Sequence, residues 1–578
     1  MKILRIFNLL LSVLLITGCQ TYIAHTILPR DGIREATHDV QIQRDLAMLT
    51  QDGVKLVAEI YHPKGEIKTP TILVRIPFSN TFKNRLGADA IGNFWASRGY
   101  TVVIQGTRGR YKSGGNFYPL IHEHEDGVAT LNWITKQPWF NGKIGMWGGS
   151  AFGHTQWAVA SQKSAGANAF MIQIASSDFH GMFYPGGAFS LESALFWAVR
   201  SYGKEDRTPD FDALERGFNG VPLIEADNRA AQDVDFFNDW VMHDKLDGYW
   251  LGIDGKERAQ NLQAPALLMA GWYDPFLPTQ LHDFELIRQH ADSHVANSSQ
   301  LIIGPWTHAD SVKFPDNSTA GDYRPASLAP SIDWFDSHLM GESTETTLAP
   351  VKLFVMGENK WRNEYEWPLK RTQYQAYYLH SEGNANTLNG NGVLDTSSPA
   401  ESELPDHYIY DPLHPVHSSG GAMLGPRAGI ALQNEAEMRQ DVLVYTTNKL
   451  DWEVEITGPV KLILYVSTDA PSTDFTAKLV DVYPDGRAYN ISNGILRHTY
   501  AESEQPTAIE IALWPTSTLM AVGHRIRLEI SSSDFPRYDR NPNTGHLIAT
   551  ETQTRVANQT IHHSLAMPSH LLLPIIPR

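Results

Sequence analysis

The chain has 578 residues, 42% of them hydrophobic and 19% charged, with a formal net charge of -17. That balance describes a well-packed globular protein of two to four domains at ~150 residues each, and its 15 Trp, 22 Tyr and 23 Phe exclude a disordered chain. The surplus of negative charge argues against a nucleic-acid partner, because phosphates would be repelled.

At the N-terminus, Lys2 and Arg5 precede an apolar run from Ile6 to Ile16, followed by Thr17-Gly18-Cys19. A charged start, a short apolar stretch and small residues before a cut form an export signal, and the run is too short to cross a bilayer as a stable helix. Ile16-Thr17-Gly18-Cys19 resembles a bacterial lipobox, in which the cysteine is lipidated and becomes the new N-terminus. Cys19 is the chain's single cysteine, which excludes intrachain disulfides, a cysteine-ligated metal centre and a thiol nucleophile. The expectation is a bacterial envelope protein held to the membrane by lipid on Cys19. Gln20, where aspartate would favour inner-membrane retention, points to the outer membrane. Residues 1–18 would be the signal and 19–35 a tether.

Leu46 to Tyr61 reads as a hairpin turning at Asp52-Gly53. Thr71–Ile76 and Tyr100–Gln105 are apolar enough for buried strands, with a helix near Ala90–Arg98 between them. The glycine-rich loop Gly106–Gly115 lacks both the lysine spacing and the following helix of a phosphate-binding loop. A helix over Glu125–Lys136 leads into Lys143-Ile-Gly-Met-Trp-Gly-Gly-Ser150-Ala-Phe-Gly153: a short strand, a sharp turn with Ser150 at its tip, then a helix. A serine so placed has its hydroxyl exposed above the sheet with a helix N-terminus behind it. The spacing departs from G-x-S-x-G, since Phe152 holds the second position after the serine and glycine follows one later. Ala167–Ala175 is a further strand. From 178 to 261 the pattern is helical and aromatic, without a clear strand, and reads as an insertion over the end of the sheet. Pro265–Ala270 resumes the sheet and leads to Asp274, a helix covers Leu281–His290, and Gln300–Ile303 leads to His308. Strands alternating with helices imply a mostly parallel sheet covered on both faces.

A serine hydroxyl is a weak nucleophile unless a base takes its proton and an acid orients the base. Ser150, Asp274 and His308 each follow an apolar strand, in the chain order Ser, Asp, His of the hydrolase sheet. They are the candidate catalytic residues. His154 is the rival base, one helical turn from Ser150 and facing along the helix.

These motifs are similar to those of the X-prolyl dipeptidyl-peptidase and cocaine-esterase type serine hydrolases, the CocE/NonD hydrolases. Gly-Gly-Ser150-Ala-Phe-Gly, Gly-Trp-Tyr-Asp274 and Gly-Pro-Trp-Thr-His308 carry the likeness in the first half. Asp474-Phe475, Leu479 to Gly486, Gly523 to Leu528 and Ser533 to Gly545 carry it in the second. The resemblance implies an α/β-hydrolase core over 36–177 and 262–370, a helical cap over 178–261, and a C-terminal all-β jelly roll over 371–578. It implies cleavage of a small-molecule carboxylic ester or amide through an acyl-enzyme, with no metal or organic cofactor. X-Pro dipeptidyl-peptidase and β-lactam or aminoacyl acylase activities belong to the same resemblance. An acylase or peptidase would need carboxylates for a free amine, such as Glu192, Glu205 or Asp206. The family's oxyanion hole resembles a backbone N–H after the nucleophile plus a tyrosine hydroxyl at an Arg-x-Pro-Tyr strand end. Here the strand end is Arg75-Ile-Pro-Phe78, so the donors would be Ala151 N–H and a group at Phe78 or Ser79. Ala151 stands where tyrosine is frequent, and Gly106 where an acidic residue is frequent. A non-catalytic surface protein that binds through its jelly roll is the alternative that Phe78 favours.

Val351–Met356 reads as the last strand of the first sheet. From Thr372 onward, turns rich in Gly, Asn and Pro separate strands of period two, such as Val460, Leu462, Leu464 and Val466. A two-sheet β-sandwich is the natural architecture. Phe196, Trp197, Trp250 and Trp272 are candidates for apolar pocket walls.

Overall fold

The computed structural model describes residues 33–163, 166–203, 205–253, 256–341, 349–500 and 506–578. The expected export signal, Cys19 and most of the expected tether lie outside them. Ten strands form the first sheet: β1 (Val40–Leu49), β2 (Lys55–Pro63), β3 (Thr69–Ile76), β4 (Thr101–Gly106), β5 (Phe140–Gly149), β6 (Ala169–Gln173), β7 (Ala266–Tyr273), β8 (Gln300–Thr307), β9 (Val351–Val355) and β10 (Lys360–Glu364). Their spatial order is β1-β2-β4-β3-β5-β6-β7-β8-β9-β10. The seven strands from β4 to β9 run parallel, while β1, β2 and β10 are antiparallel additions at the two margins.

The parallel strands are apolar because helices cover both faces; every residue of β3, β4, β6 and β7 is buried. The hairpin, the buried strands and the helices fall where the sequence places them, with shifted ends. The first helix begins at Phe82, capped by the Thr81 side chain, rather than near Ala90. The sheet does not end at Val351–Met356. Strand β10 adds one more, pairing Lys360 with Val355 and Glu364 with Val351. Its sequence, Lys-Trp-Arg-Asn-Glu, carries no apolar period, because its side chains sit at a solvated edge. In the glycine-rich loop after β4, Arg108 pairs with Asp52 and Asp126, and Arg110 donates to the main-chain oxygens of Ser201 and Gly203. Its cations are spent on the fold rather than turned toward a phosphate.

Between β6 and β7, helices from Phe179 to Gln260 form a cap around buried Phe189, Leu195, Phe237, Trp240 and Trp250. From Gln373 onward the chain builds an eleven-stranded sheet. The long strand Val454–Thr468 pairs on one side with Thr507–Met520 and also with His570–Ile575, aligning Lys461 with Leu572, so the sheet closes on itself. Val460, Leu462, Leu464 and Val466 are buried inside it, as their period of two requires.

Within this second unit, the buried His563 lies between two carboxylates, with Nε2 3.0 Å from Asp406 Oδ2 and Nδ1 3.2 Å from Glu403 Oε2. Ser381 Oγ is 3.2 Å from Nε2, so a serine, a histidine and acids meet here too. The imidazole is locked between its acids rather than opened to a pocket. Burial alone would lower its pKa; the hydrogen bond and charge of Asp406, then those of Glu403, overcome burial and raise it. The folded state therefore holds this proton more tightly than the unfolded chain does. The stabilisation is complete below about pH 6.5 and is lost as pH climbs through the raised folded value. Thermal unfolding of native protein and His563→Gln from pH 6 to pH 9 should show the native midpoint falling toward that of the variant; parallel curves would contradict this assignment.

Candidate active site

Ser150 sits between the end of β5 and the helix Ala151–Trp157, with φ 55° and ψ -127°. An L-residue adopts such a backbone only when its surroundings impose it. Three contacts do so. Ser150 N–H donates to Gln173 O at 2.9 Å, and the Gln156 side-chain amide donates to Gly148 O and Met171 O, each at 3.0 Å. The glycine displaced by one position has a physical role. A Cβ added at Gly153 would lie 2.6 Å from Ala175 Cβ, so its bare backbone lets the helix pack onto the chain after β6. Phe152, at the position usually held by glycine, turns its ring edge-on to Phe78 at 5.3 Å.

Asp274 and His308 follow β7 and β8 directly and come within hydrogen-bonding range of Ser150. His308 Nε2 is 2.8 Å from Ser150 Oγ, and His308 Nδ1 is 2.6 Å from Asp274 Oδ2. Asp274 is fully buried. Its Oδ1 accepts from Phe276 N–H at 2.8 Å, and its main-chain oxygen accepts from Trp514 Nε1–H at 3.2 Å. Trp514 belongs to the second sheet, and Arg537 lies over its ring at 4.5 Å. No sequence spacing marks Trp514, because it lies 240 residues from the aspartate it touches. His154 does not reach the serine hydroxyl's partner role. Its ring lies edge-on to Phe179 and tilted against Phe276, and Phe276 stands edge-on to His308. Burial, and then the neighbouring His308, push the His154 imidazole down to about 3, so it is neutral.

Ser150 and Ala151 open onto a pocket of about 70 Å³ walled by Phe117, Phe183, Trp197, Trp240, Phe276 and Leu424. Of the four aromatics expected on its walls, Trp197 is there. Trp250 is buried inside the cap and Phe196 packs against the cap core. Trp272 lies within the sheet's core and donates to Phe354 O at 2.8 Å. Large aromatics are more often packing than pocket, and a helix period does not separate the two. Ser79 is engaged by Asp206. Its N–H faces both Asp206 oxygens at 3.2 Å, and its Oγ accepts from Asp206 N–H at 2.8 Å. Asp206 thus serves the chain after β3, Glu192 is buried beside Ser193 at 3.2 Å, and Glu205 is exposed. Glu123 is the carboxylate that borders the pocket among the described residues, and it pairs with Arg75 at 3.0 Å.

Residues 52–310 match the model of the X-Pro dipeptidyl-peptidase (S15) family, and residues 344–572 match the X-Pro dipeptidyl-peptidase C-terminal non-catalytic domain. Cocaine esterase from Rhodococcus sp. (strain MB1 Bresler) is 38% identical over 91% of this chain and 97% of its own. The chain belongs to the S15 and cocaine-esterase family of hydrolases. Two solved structures share its fold: an aminopeptidase from a marine sediment Thaumarchaeota archaeon and an α-amino acid ester hydrolase. Their TM-scores are 0.78 and 0.77, at 22% and 21% identity, covering 96% and 95% of this chain and 99% and 100% of theirs. The S15-type architecture of α/β-hydrolase sheet, helical cap and C-terminal β-domain accounts for the whole described chain.

In this S15-family hydrolase the C-terminal domain touches the acid loop itself. Trp514→Phe removes one neutral hydrogen bond, worth ~0.5–1.5 kcal/mol. Turnover should fall roughly three- to tenfold with KM within about twofold, because the loss falls on the orientation of Asp274 rather than on substrate contacts. Steady-state kinetics on an ester substrate test this.

Proposed function

We propose that this chain hydrolyses carboxylic esters through an acyl-enzyme on Ser150. The reading rests on the hydrogen-bonded line Asp274–His308–Ser150 at the mouth of an apolar pocket. Asp274 accepts Nδ1–H of His308, which leaves Nε2 as the acceptor for the Ser150 proton. Ser150 Oγ attacks the carbonyl carbon as His308 takes its proton, and the imidazolium then returns that proton to the departing alcohol. Water, deprotonated by the same imidazole, releases the acid. The tetrahedral oxygen is met by Ala151 N–H, a first-turn amide without an intrahelical acceptor. Phe78 offers no hydroxyl, and with the Ser79 amide donating to Asp206 the second donor is the main chain at Phe78 or the Ser79 hydroxyl, which accepts from Asp206 N–H and keeps its own proton to give. Losing one donor outright costs ~10²–10³ in rate and a weaker one costs part of that, which an ester with a good leaving group tolerates better than an amide. Recognition of a free amine is disfavoured, because the pocket's carboxylate, Glu123, already pairs with Arg75.

A fluorophosphonate probe should label the native chain and not Ser150→Ala, and Ser150→Ala or His308→Ala should lose at least ~10³ in kcat/KM toward 4-nitrophenyl esters. X-Pro anilides should be turned over at background. Equal labelling of native chain and Ser150→Ala would remove Ser150 from the mechanism.

Lipid attachment at Cys19 is part of the same proposal, supported by the motif Ile16-Thr17-Gly18-Cys19 behind its charged and apolar leader. Expressed in a bacterial host, the native chain should incorporate labelled palmitate and sediment with membranes. Cys19→Ala should do neither.

A further inference from the structure

The pocket is apolar on nearly all sides, yet among the described residues three buried polar atoms of its lining make no hydrogen bond: Glu123 Oε2, Trp240 Nε1 and His154 Nε2. Glu123 has the Arg75 guanidinium at 3.0 Å and the Trp240 indole is packed into the cap core, which leaves His154. His154 lines the pocket one helical turn beyond Ser150, and its Nε2 is buried with no hydrogen-bond partner among the described residues. The other small polar side chains of the lining are engaged: Thr155 with Phe152 O, Ser190 with Met182 O, and Ser193 with Glu192. A buried polar atom left unpaired is unfavourable, and one that lines the pocket at Ser150 is placed to pair with whatever binds there. His154 is no stand-in for His308, which already holds both Asp274 and Ser150.

We infer that His154 sets acyl-group specificity, and that the preferred substrates are esters whose apolar acyl group carries a hydroxyl meeting His154 Nε2. The inference rests on the esterase reading of Ser150. Three observations select the hydroxyl. A neutral imidazole nitrogen is a donor in one tautomer and an acceptor in the other, and a hydroxyl satisfies either. A carboxylate on the acyl group would be stripped of water among Phe183, Trp197, Trp240 and Phe276 with no cation in the lining to meet it, and an ammonium would find only Glu123, already paired with Arg75. Placement follows from the helix. Four residues advance the axis by about 6 Å, so the hydroxyl lies a few bonds beyond the carbonyl carbon bound to Ser150. On an aromatic acyl group this corresponds to the 3- or 4-position, and the surrounding rings favour edge-to-face contact with such a group.

The test compares 4-nitrophenyl benzoate with 4-nitrophenyl 3-hydroxybenzoate and 4-hydroxybenzoate, dividing each kcat/KM by the hydroxide-catalysed rate of the same ester. Native protein should prefer one hydroxylated isomer by roughly tenfold, the yield of one buried hydrogen bond. His154→Leu should bring that ratio to within about twofold of unity, and His154→Gln, which keeps a donor and an acceptor, should retain part of it. Fluorophosphonate labelling of Ser150 reports whether each variant keeps its site. If the leucine variant is not labelled, the native ratio and the glutamine variant decide. Native protein without a preference, or His154→Leu with the native preference, would overturn the inference while leaving ester hydrolysis intact. Absence of both labelling and turnover in native protein would overturn the esterase reading and this inference together.

Discussion

The imidazole of His308 is held at both nitrogens, 2.6 Å from a carboxylate and 2.8 Å from a hydroxyl. Those separations constrain the rest of the catalytic half. The three side chains come from loops after β5, β7 and β8, and a misplacement of about 1 Å can cost ~10² in rate. A parallel sheet meets the demand because strand spacing and register are fixed by backbone hydrogen bonds, and its loops emerge at one edge. The strain at Ser150 is affordable for the same reason: Gln173 and Met171 of the neighbouring β6, and Gly148 of β5 itself, hold the turn.

Above that edge the cap and the second sheet supply the environment in which a neutral ester carbonyl would sit. Trp197 and Trp240 descend from the cap, Phe276 rises from the acid loop, and Leu424 comes from the C-terminal domain. Water excluded by such walls cannot compete for the hydrogen bonds at the reacting centre, which strengthens each of them. Phe276 does two things at once. Its ring forms part of the wall and packs against the imidazoles of both His154 and His308.

Much of this was readable in the residues. Strands buried on both faces write themselves as apolar runs, and a serine flanked by Gly148, Gly149 and Ala151 announces a turn too tight for side chains. Asp274 and His308 were visible because each follows such a run in a fixed order. What stayed hidden was everything decided by contact between distant segments. Nothing local distinguishes Trp197, which faces the pocket, from Trp250, which fills the cap's interior. Nothing near Ser79 in the sequence shows that Asp206 engages both its amide and its hydroxyl. Strand β10 leaves no trace in the sequence because an edge strand with charged side chains has no apolar signature.

The indole of Trp514 reaching the main chain of Asp274 has a consequence for how such enzymes can be altered. The C-terminal barrel is not an interchangeable appendage: it shares one hydrogen bond with the acid and one wall residue with the pocket. A chimera that exchanged barrels between relatives would carry over an intact serine and imidazole but a differently seated carboxylate. Modular in its covalent order, the protein is indivisible in its chemistry, and barrel and sheet are bound to diversify together.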